Sequence, residues 1–348
     1  MGDKIKVLIV DDATFMVKAI REILESDAEL EVVGSAKNGL EALKLIKELR
    51  PDVITLDVDM PVMDGLKTVR HIMIESPVPV VMLSSLSEHG DITFEAIRLG
   101  VVDFLPKPSG AISQDIHDVR QQVIDRVKIA ASVTMKNIHR VKLNNVGAQN
   151  ELTERYGYQE MDYIVAIGTT LGGPNTVINL MTMLPSALPI TIVVIQEIAP
   201  KILPSFAKQF AEQTAWRVEA GEAGKELEQG VCYICSNETP LQVERDDKNK
   251  ITLLMQSGDE QPLNALFTSA SRIFGSNTIG VLLTGIGDDG TEGFSTIRSN
   301  AGVTIAQSTD TCVYPNLTQC AIEDGNVDYV VDADELAKKI KSVINVNE

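Results

Sequence analysis

One rhythm dominates this chain and appears in it twice. From Ile5 to about Lys107, short apolar runs alternate with stretches whose apolar residues recur at helical spacing, and from Tyr163 the alternation resumes. KVLIV, ELEVVGSA, DVITLDV, PVVMLSS and VVDFLPKP read as strands. Between them Phe15, Met16, Ala19, Ile20, Ile23 and Leu24, then GLEALKLIKELR, DGLKTVRHIMIE and DITFEAIRLG, read as helices. Such alternation defines an α/β fold, a parallel sheet with helices on both faces. At 348 residues the chain is long enough for two domains. The expected division is residues 1–108, a helical and polar linker over 109–160, and a second domain over 161–348.

Charge narrows the range of partners. A formal net charge of −18 with a pI near 4.7 argues against nucleic acid or an anionic membrane, both of which need clustered Lys and Arg. No apolar run approaches a membrane span, and MGDKIKVLIVDD lacks a signal-peptide cleavage region, so a cytoplasmic protein without membrane insertion is expected. Lys6 also breaks the myristoylation pattern. The C-x-x-C of VCYIC, Cys232 with Cys235, has a spacing that can bind zinc or run thiol chemistry. In a strand, however, residues three apart face opposite ways, so buried structural thiols are expected.

Polar residues gather where the strands of the first domain end. Asp11 and Asp12 follow the first strand, Asp57 closes the third, Ser84 the fourth, and Lys107 follows the fifth. Parallel strands bring all of them to one edge, where ligands of such sheets bind. Three carboxylates placed together repel unless a cation sits among them, and an all-oxygen site with open positions suits magnesium. A lysine and a hydroxyl beside it suit a phosphoryl group.

VDDATFMV, LDVDMPVMDGL, MLSS and FLPKP resemble, at matching places, the receiver domain of two-component response regulators, whose sheet is flavodoxin-like and five-stranded. The resemblance implies that Asp57 accepts phosphate from a sensor histidine kinase and that Asp11, Asp12 and Asp57 hold Mg2+ with the backbone carbonyl of Asp59. It further implies that Ser84 and Lys107 contact the phosphoryl group and that Phe104 is the aromatic switch. In the linker, Ile116, Val119, Val123, Ile124 and Val127 form an apolar stripe that could pack on either domain or on another copy.

The second domain reads as another doubly wound, mainly parallel α/β unit. DYIVAIG, ITIVVIQ, TIGVLLTG, VTIAQ and DYVV are its parallel strands, and LQVERD and KITLLMQ form a hairpin around DDKN. Three turns leave strands at their carboxyl ends: GTTLGGP, QEIAP and TGIGDDG. The first, a glycine-rich strand-to-helix turn, is a place where acyl-transfer enzymes present a hydroxyl, and Thr169 and Thr170 are the candidates. These turns resemble the effector domain of the chemotaxis protein-glutamate methylesterases, the CheB family, and the resemblance spans essentially the whole chain.

In that family the three turns carry a serine nucleophile, a histidine base and an aspartate that hydrolyse glutamate methyl esters on chemoreceptors. Here the corresponding positions are Thr170, Glu197 and Asp289. Gly168, Gly172, Gly173 and Pro174 match, but Leu171, YICSNETP and QPLNALF depart from the usual residues. All four histidines, His71, His89, His117 and His139, lie before the second domain. A glutamate's ordinary pKa of about 4.3 makes it a weak base toward a hydroxyl unless burial raises it strongly. Removing the nucleophile or histidine from one well-studied triad costs about a millionfold, roughly 8 kcal/mol.

The expectation is therefore a response regulator phosphorylated on Asp57, with Mg2+ in the receiver and no cofactor in the second domain. Its methylesterase-like domain has lost normal catalysis and acts as a phosphorylation-controlled binding or adaptor module. The sensor kinase of a chemosensory system and chemoreceptor cytoplasmic segments are the candidate partners. The alternative is an active methylesterase or glutamine deamidase, in which a receiver histidine such as His89 lends the base.

Overall fold

The computed structural model describes residues 4–84, 90–107, 116–138, 141, 162–256, 258 and 261–344. The chain forms two compact units, residues 1–140 and 141–348. In the first, the elements run β1 (Ile5–Val10), α1 (Thr14–Leu24), β2 (Leu30–Ala36), α2 (Gly39–Leu49), β3 (Val53–Asp57), α3 (Gly65–Glu75), β4 (Val80–Ser84), α4 (Gly90–Leu99), β5 (Asp103–Pro106) and α5 (Ile116–Ser132). The strands lie in the order β2-β1-β3-β4-β5 and every pair is parallel. This is the five-stranded sheet expected from the sequence.

Local chemistry fixes where these helices begin. Asn38 caps α2 by accepting from Glu41 N at 3.0 Å, and Asp64 caps α3 by accepting from Lys67 N at 2.8 Å. Val7, Leu8, Ile9, Ile54 and Leu56 are fully shielded from water, because helices cover both faces of β1 and β3.

Helix α5 packs against α1 and the strands β3, β4 and β5, burying Val123, Ile124 and Val127. The compact unit thus runs to Arg140, past the boundary expected near residue 108. Of the apolar stripe read in the linker, Val123, Ile124 and Val127 cover the sheet of their own unit, while the side chains of Ile116 and Val119 lie outside what is described. Arg126 on α5 pairs with Asp103 on β5 at 3.4 Å, and Lys128 pairs with Glu29 at 2.6 Å. Residues 142–160 of the expected linker lie outside the described residues.

The second unit continues β6 (Tyr163–Gly168), α6 (Gly173–Met183), β7 (Ile190–Gln196), α7 (Leu203–Ala211), β8 (Arg217–Ala220), β9 (Val231–Ser236), β10 (Leu241–Arg245), β11 (Ile251–Met255), α8 (Pro262–Phe274), β12 (Thr278–Leu282), α9 (Thr291–Ser299), β13 (Val303–Gln307), α10 (Asn316–Glu323), β14 (Tyr329–Val331) and α11 (Leu336–Ile344). Seven of these strands form a parallel sheet in the order β14-β13-β12-β6-β7-β9-β8, and β10 pairs with β11 as an antiparallel hairpin. On one face of the sheet Ile164, Val193, Tyr233 and Cys235 pack with Leu266 and Phe267 of α8. Trp216, the only tryptophan, is buried and donates its indole N–H to Leu184 O at 2.8 Å.

Two elements go beyond the sequence reading. Strand β8, RVEA, is a charged four-residue edge strand whose Arg217 and Glu219 are joined in a salt bridge, so it shows no apolar alternation. Helix α10 has eight residues with four consecutive polar or small positions, too short for a helical period to stand out.

Because α5 completes the first unit's core, Val127→Ala should destabilise that unit by about 2 kcal/mol. Denaturant unfolding followed by Trp216 fluorescence, which reports the second unit, should stay unchanged.

Candidate functional site

The sequence-predicted residues of the first unit converge on one edge. Carboxylate oxygens of Asp11, Asp12 and Asp57 lie within 4.8 Å of one another. Asp11 and Asp57 are buried, while Asp12 faces solvent. Lys107 Nζ lies 2.7 Å from Asp57 Oδ2 and 3.0 Å from Asp11 Oδ2. The position of this lysine is set by the backbone, since Lys107 N donates to Ser84 O at 2.7 Å. Ser84 is buried at the end of β4, and Phe104 is half-buried against the core. Asp59 sits on the exposed turn after β3.

Burial pushes the Asp57 carboxyl above the usual range. The Lys107 hydrogen bond and charge work against that rise, and the Asp11 charge adds to it. For Lys107 burial disfavours the ammonium, yet the hydrogen bonds and charges of Asp57 and Asp11 outweigh it and raise its pKa. The cluster therefore carries one cation against three carboxylates. Its hard oxygen donors, their mutual distance and the open side at Asp12 fit a Mg2+ ion.

In the second unit, the turns after β6 and β12 meet. Gly172 adopts φ +72° at the start of α6, and a side chain there would press on Val313. A side chain at Gly173 would collide with Thr169, whose hydroxyl donates to Thr284 O at 2.7 Å. Thr169 is thereby fully buried, leaving Thr170, half-buried, as the hydroxyl at the crevice. Thr170 Oγ1 accepts from Ile286 N at 2.7 Å and donates to Ile286 O at 3.3 Å.

Asp289 has different partners. Its Oδ2 accepts from Leu263 N at 2.8 Å and its Oδ1 from Asn264 N at 2.9 Å, capping α8 from across the crevice turn. Burial raises the Asp289 pKa, against hydrogen bonds from Leu263, Asn264 and Gly290 that lower it. The residue in the N-cap position itself, Gln261, makes no side-chain cap bond. That gap was legible as the signal: QPLNALF starts a helix with no Ser, Thr, Asp or Asn before its proline, so the cap has to come from elsewhere.

Glu197 is half-buried just after β7. Glu238, on the turn after β9, has a pKa raised first by desolvation and then by the charge of Glu197, which places the two carboxylates near each other. Neither Glu238 nor the Ile286 backbone was singled out from the sequence. A backbone partner leaves no trace in residue identity, and Glu238 lies in a turn with no motif. The turn after β12 is further held by Asn316, whose Oδ1 accepts from Gly287 N at 2.6 Å.

Cys232 and Cys235 are fully buried and free. Cys235 belongs to the core beneath α8 and Cys232 faces the other way, so they share no ligand. Burial pushes the Cys235 thiol up to about 12 and Cys232 higher still, which removes thiolate chemistry. His89 lies outside the described residues. No helix among the described residues is long and apolar enough to cross a membrane.

Comparison with known proteins matches this arrangement. The family model described as a response regulator receiver domain matches residues 7–118, and that described as CheB methylesterase matches residues 165–340. A protein named protein-glutamate methylesterase/protein-glutamine glutaminase from Pyrococcus horikoshii is 35% identical over 99% of this chain and 95% of its own length. One of the same name from Caldanaerobacter subterraneus subsp. tengcongensis is 37% identical over 100% of both. Among solved structures, the CheB methylesterase catalytic domain of Thermotoga maritima is 30% identical, covering 52% of this chain and 98% of that one at a TM-score of 0.49. The response regulator domain of the same organism's CheB is 43% identical, covering 38% and 98% at a TM-score of 0.35.

A receiver domain followed by a methylesterase domain defines a response regulator with an enzyme-type effector. The chain belongs to the CheB family.

Two outcomes follow from the geometry. Because a ligand that binds only the folded state stabilises it, Mg2+ at a hundredfold excess over its Kd should stabilise the first unit by about 2.7 kcal/mol. Calorimetry should show this shift largely lost in Asp57→Asn. Asp289→Ala should destabilise the second unit by about 1–2 kcal/mol through loss of the α8 cap, read by Trp216 fluorescence in urea, with Asp289→Asn costing less.

Proposed function

We propose that this chain is a phosphorylation-controlled binding module of chemosensory signalling whose methylesterase domain no longer turns over its family's substrates. Asp57 is the phosphoacceptor, supplied by a sensor histidine kinase. Its carboxylate attacks the phosphorus of the kinase's phosphohistidine, the O–P bond forming as the P–N bond breaks and the kinase imidazole leaves, while Lys107 and Ser84 hold phosphoryl oxygens. Asp11, Asp12 and Asp57, with the carbonyl of Asp59, would hold a Mg2+ ion, which when bound supplies charge neutralisation for the transferring group. Phe104 responds as the aromatic switch.

The observation that carries the loss of turnover is the hydrogen-bonding of Thr170. A nucleophilic hydroxyl must pass its proton to a base as it attacks. The Thr170 proton points to the Ile286 carbonyl at 3.3 Å, which cannot take it, and Ile286 N–H holds the same oxygen at 2.7 Å. Histidine, the family's base, is absent from the sequence after His139. Glu197 stands in its place, and Asp289 spends both carboxylate oxygens on the α8 N-terminus. Chemoreceptor cytoplasmic segments are the partners that this crevice would bind, with phosphorylation setting access to it.

One observation favours an active enzyme: relatives bearing the name protein-glutamate methylesterase/protein-glutamine glutaminase match along the whole chain. Methanol release from methylated receptor membranes, and ammonia release from glutamine-bearing ones, separates the readings. The expected result is release near the uncatalysed rate, with and without a phosphodonor, and phosphate incorporation that Asp57→Asn abolishes. Robust release that disappears in Thr170→Ala would overturn the binding-module reading. Equal receptor-segment affinity before and after phosphorylation would overturn the regulatory part.

A further inference from the structure

The seven-stranded sheet has two edges with opposite character. Edge strand β8 carries Arg217 and Glu219, tied to each other and, through Arg217, to Glu228 at 2.7 Å, a charged arrangement that discourages further pairing. Strand β14 at the other edge reads Tyr329-Val330-Val331 and carries no charge. It pairs with β13 on one side and with no strand on the other among the described residues. Tyr329 is 42% exposed and Val330 49% exposed. Consecutive strand residues face opposite ways, so Val330 reaches solvent on one face and Tyr329, partly covered by Lys339 of α11, on the other.

The flanks are rich in acid. Between Glu323 and Glu335, the stretch EDGNVDYVVDADE holds no lysine or arginine and six carboxylates, of which Asp328 pairs with Arg298 at 3.1 Å and Glu335 with Lys338 at 2.9 Å. Asp332 and Asp334 are exposed immediately after the strand. The Tyr329 ring already attracts a cation, since Lys339 Nζ lies 3.9 Å from its centroid. A second copy of this chain would bring the same carboxylates against these, at a net charge of −18 per chain.

We propose that the β14 edge is a docking site for another protein, which adds an extended apolar segment flanked by lysine or arginine as a further strand beside Tyr329–Val331. Backbone pairing supplies the affinity, and the acidic flanks select basic neighbours and reject acidic ones. This surface belongs to a different edge of the sheet from the crevice of Thr170, so its use does not depend on whether the crevice hydrolyses anything.

The test uses the full chain and a fluorescent nonapeptide alternating valine and lysine, with a valine–glutamate counterpart as control. The basic peptide should bind, the acidic one should not, and binding should weaken with salt. Hydrogen exchange should slow at Tyr329–Val331 on binding. Val330→Lys, and separately the double change Asp332→Lys with Asp334→Lys that leaves the strand itself intact, should each weaken binding at least about tenfold, as expected for losing a central apolar contact or two flanking charges. Unchanged affinity in both variants, or protection elsewhere than β14, would overturn the proposal. So would a concentration-dependent dimer in sedimentation that Val330→Lys dissolves, since the occupant would then be a second copy.

Discussion

Parallel pairing through helical crossovers is the constraint on which both units rest. Within each parallel sheet the chain must return to the start of the next strand, mostly through a helix and between β8 and β9 through a loop, so the strands of the sheet end at the same edge and residues distant in sequence are delivered there together. Asp11, Asp57 and Lys107 meet for this reason, although 96 positions separate the first from the last. The register of β6 against β7 and β12 does the same for the turns that bear Thr170, Glu197 and Asp289. Once the apolar cores of the sheets are fixed, the chemistry at their edges is largely a matter of which side chains end the strands.

The two edges then diverge in electrostatics. In the first unit a lysine, itself partly buried, is held between two buried carboxylates, and their combined charge remains negative enough to call for a cation. Burial and the Lys107 charge oppose each other at Asp57, and burial opposes the two carboxylates at Lys107. In the second unit the crevice carries carboxylates at Glu197 and Glu238 and a hydroxyl bound to backbone. No histidine of the sequence follows position 139, so no imidazole of this unit titrates near neutrality. At the first edge charge is balanced against burial; at the second, hydroxyl and carboxylate oxygens are taken up by main-chain N–H groups.

Much of this was legible in the residues. The apolar rhythm gave both sheets, and the acids and lysine at strand ends gave the first site, because these features depend on residue type and spacing alone. Helix α5 showed its apolar stripe but not its destination, since Val123, Ile124 and Val127 fit any apolar surface and only packing decides which. The charged strand β8 and the short α10 lacked periodicity. Thr170 was identifiable by position, while its engagement with Ile286 was not, because the partner is main chain. Glu238 came to notice only through its proximity to Glu197.

Asp289 separates what the architecture of a crevice needs from what its chemistry needs. Its two carboxylate oxygens hold the first turn of α8 to the turn after β12, and this service is indifferent to whether a reaction takes place nearby. The helix start requires an acceptor at that place whatever side chain stands at position 170. An aspartate in this turn is thus a mark of how the domain is held together, and by itself it does not tell a working crevice from an idle one.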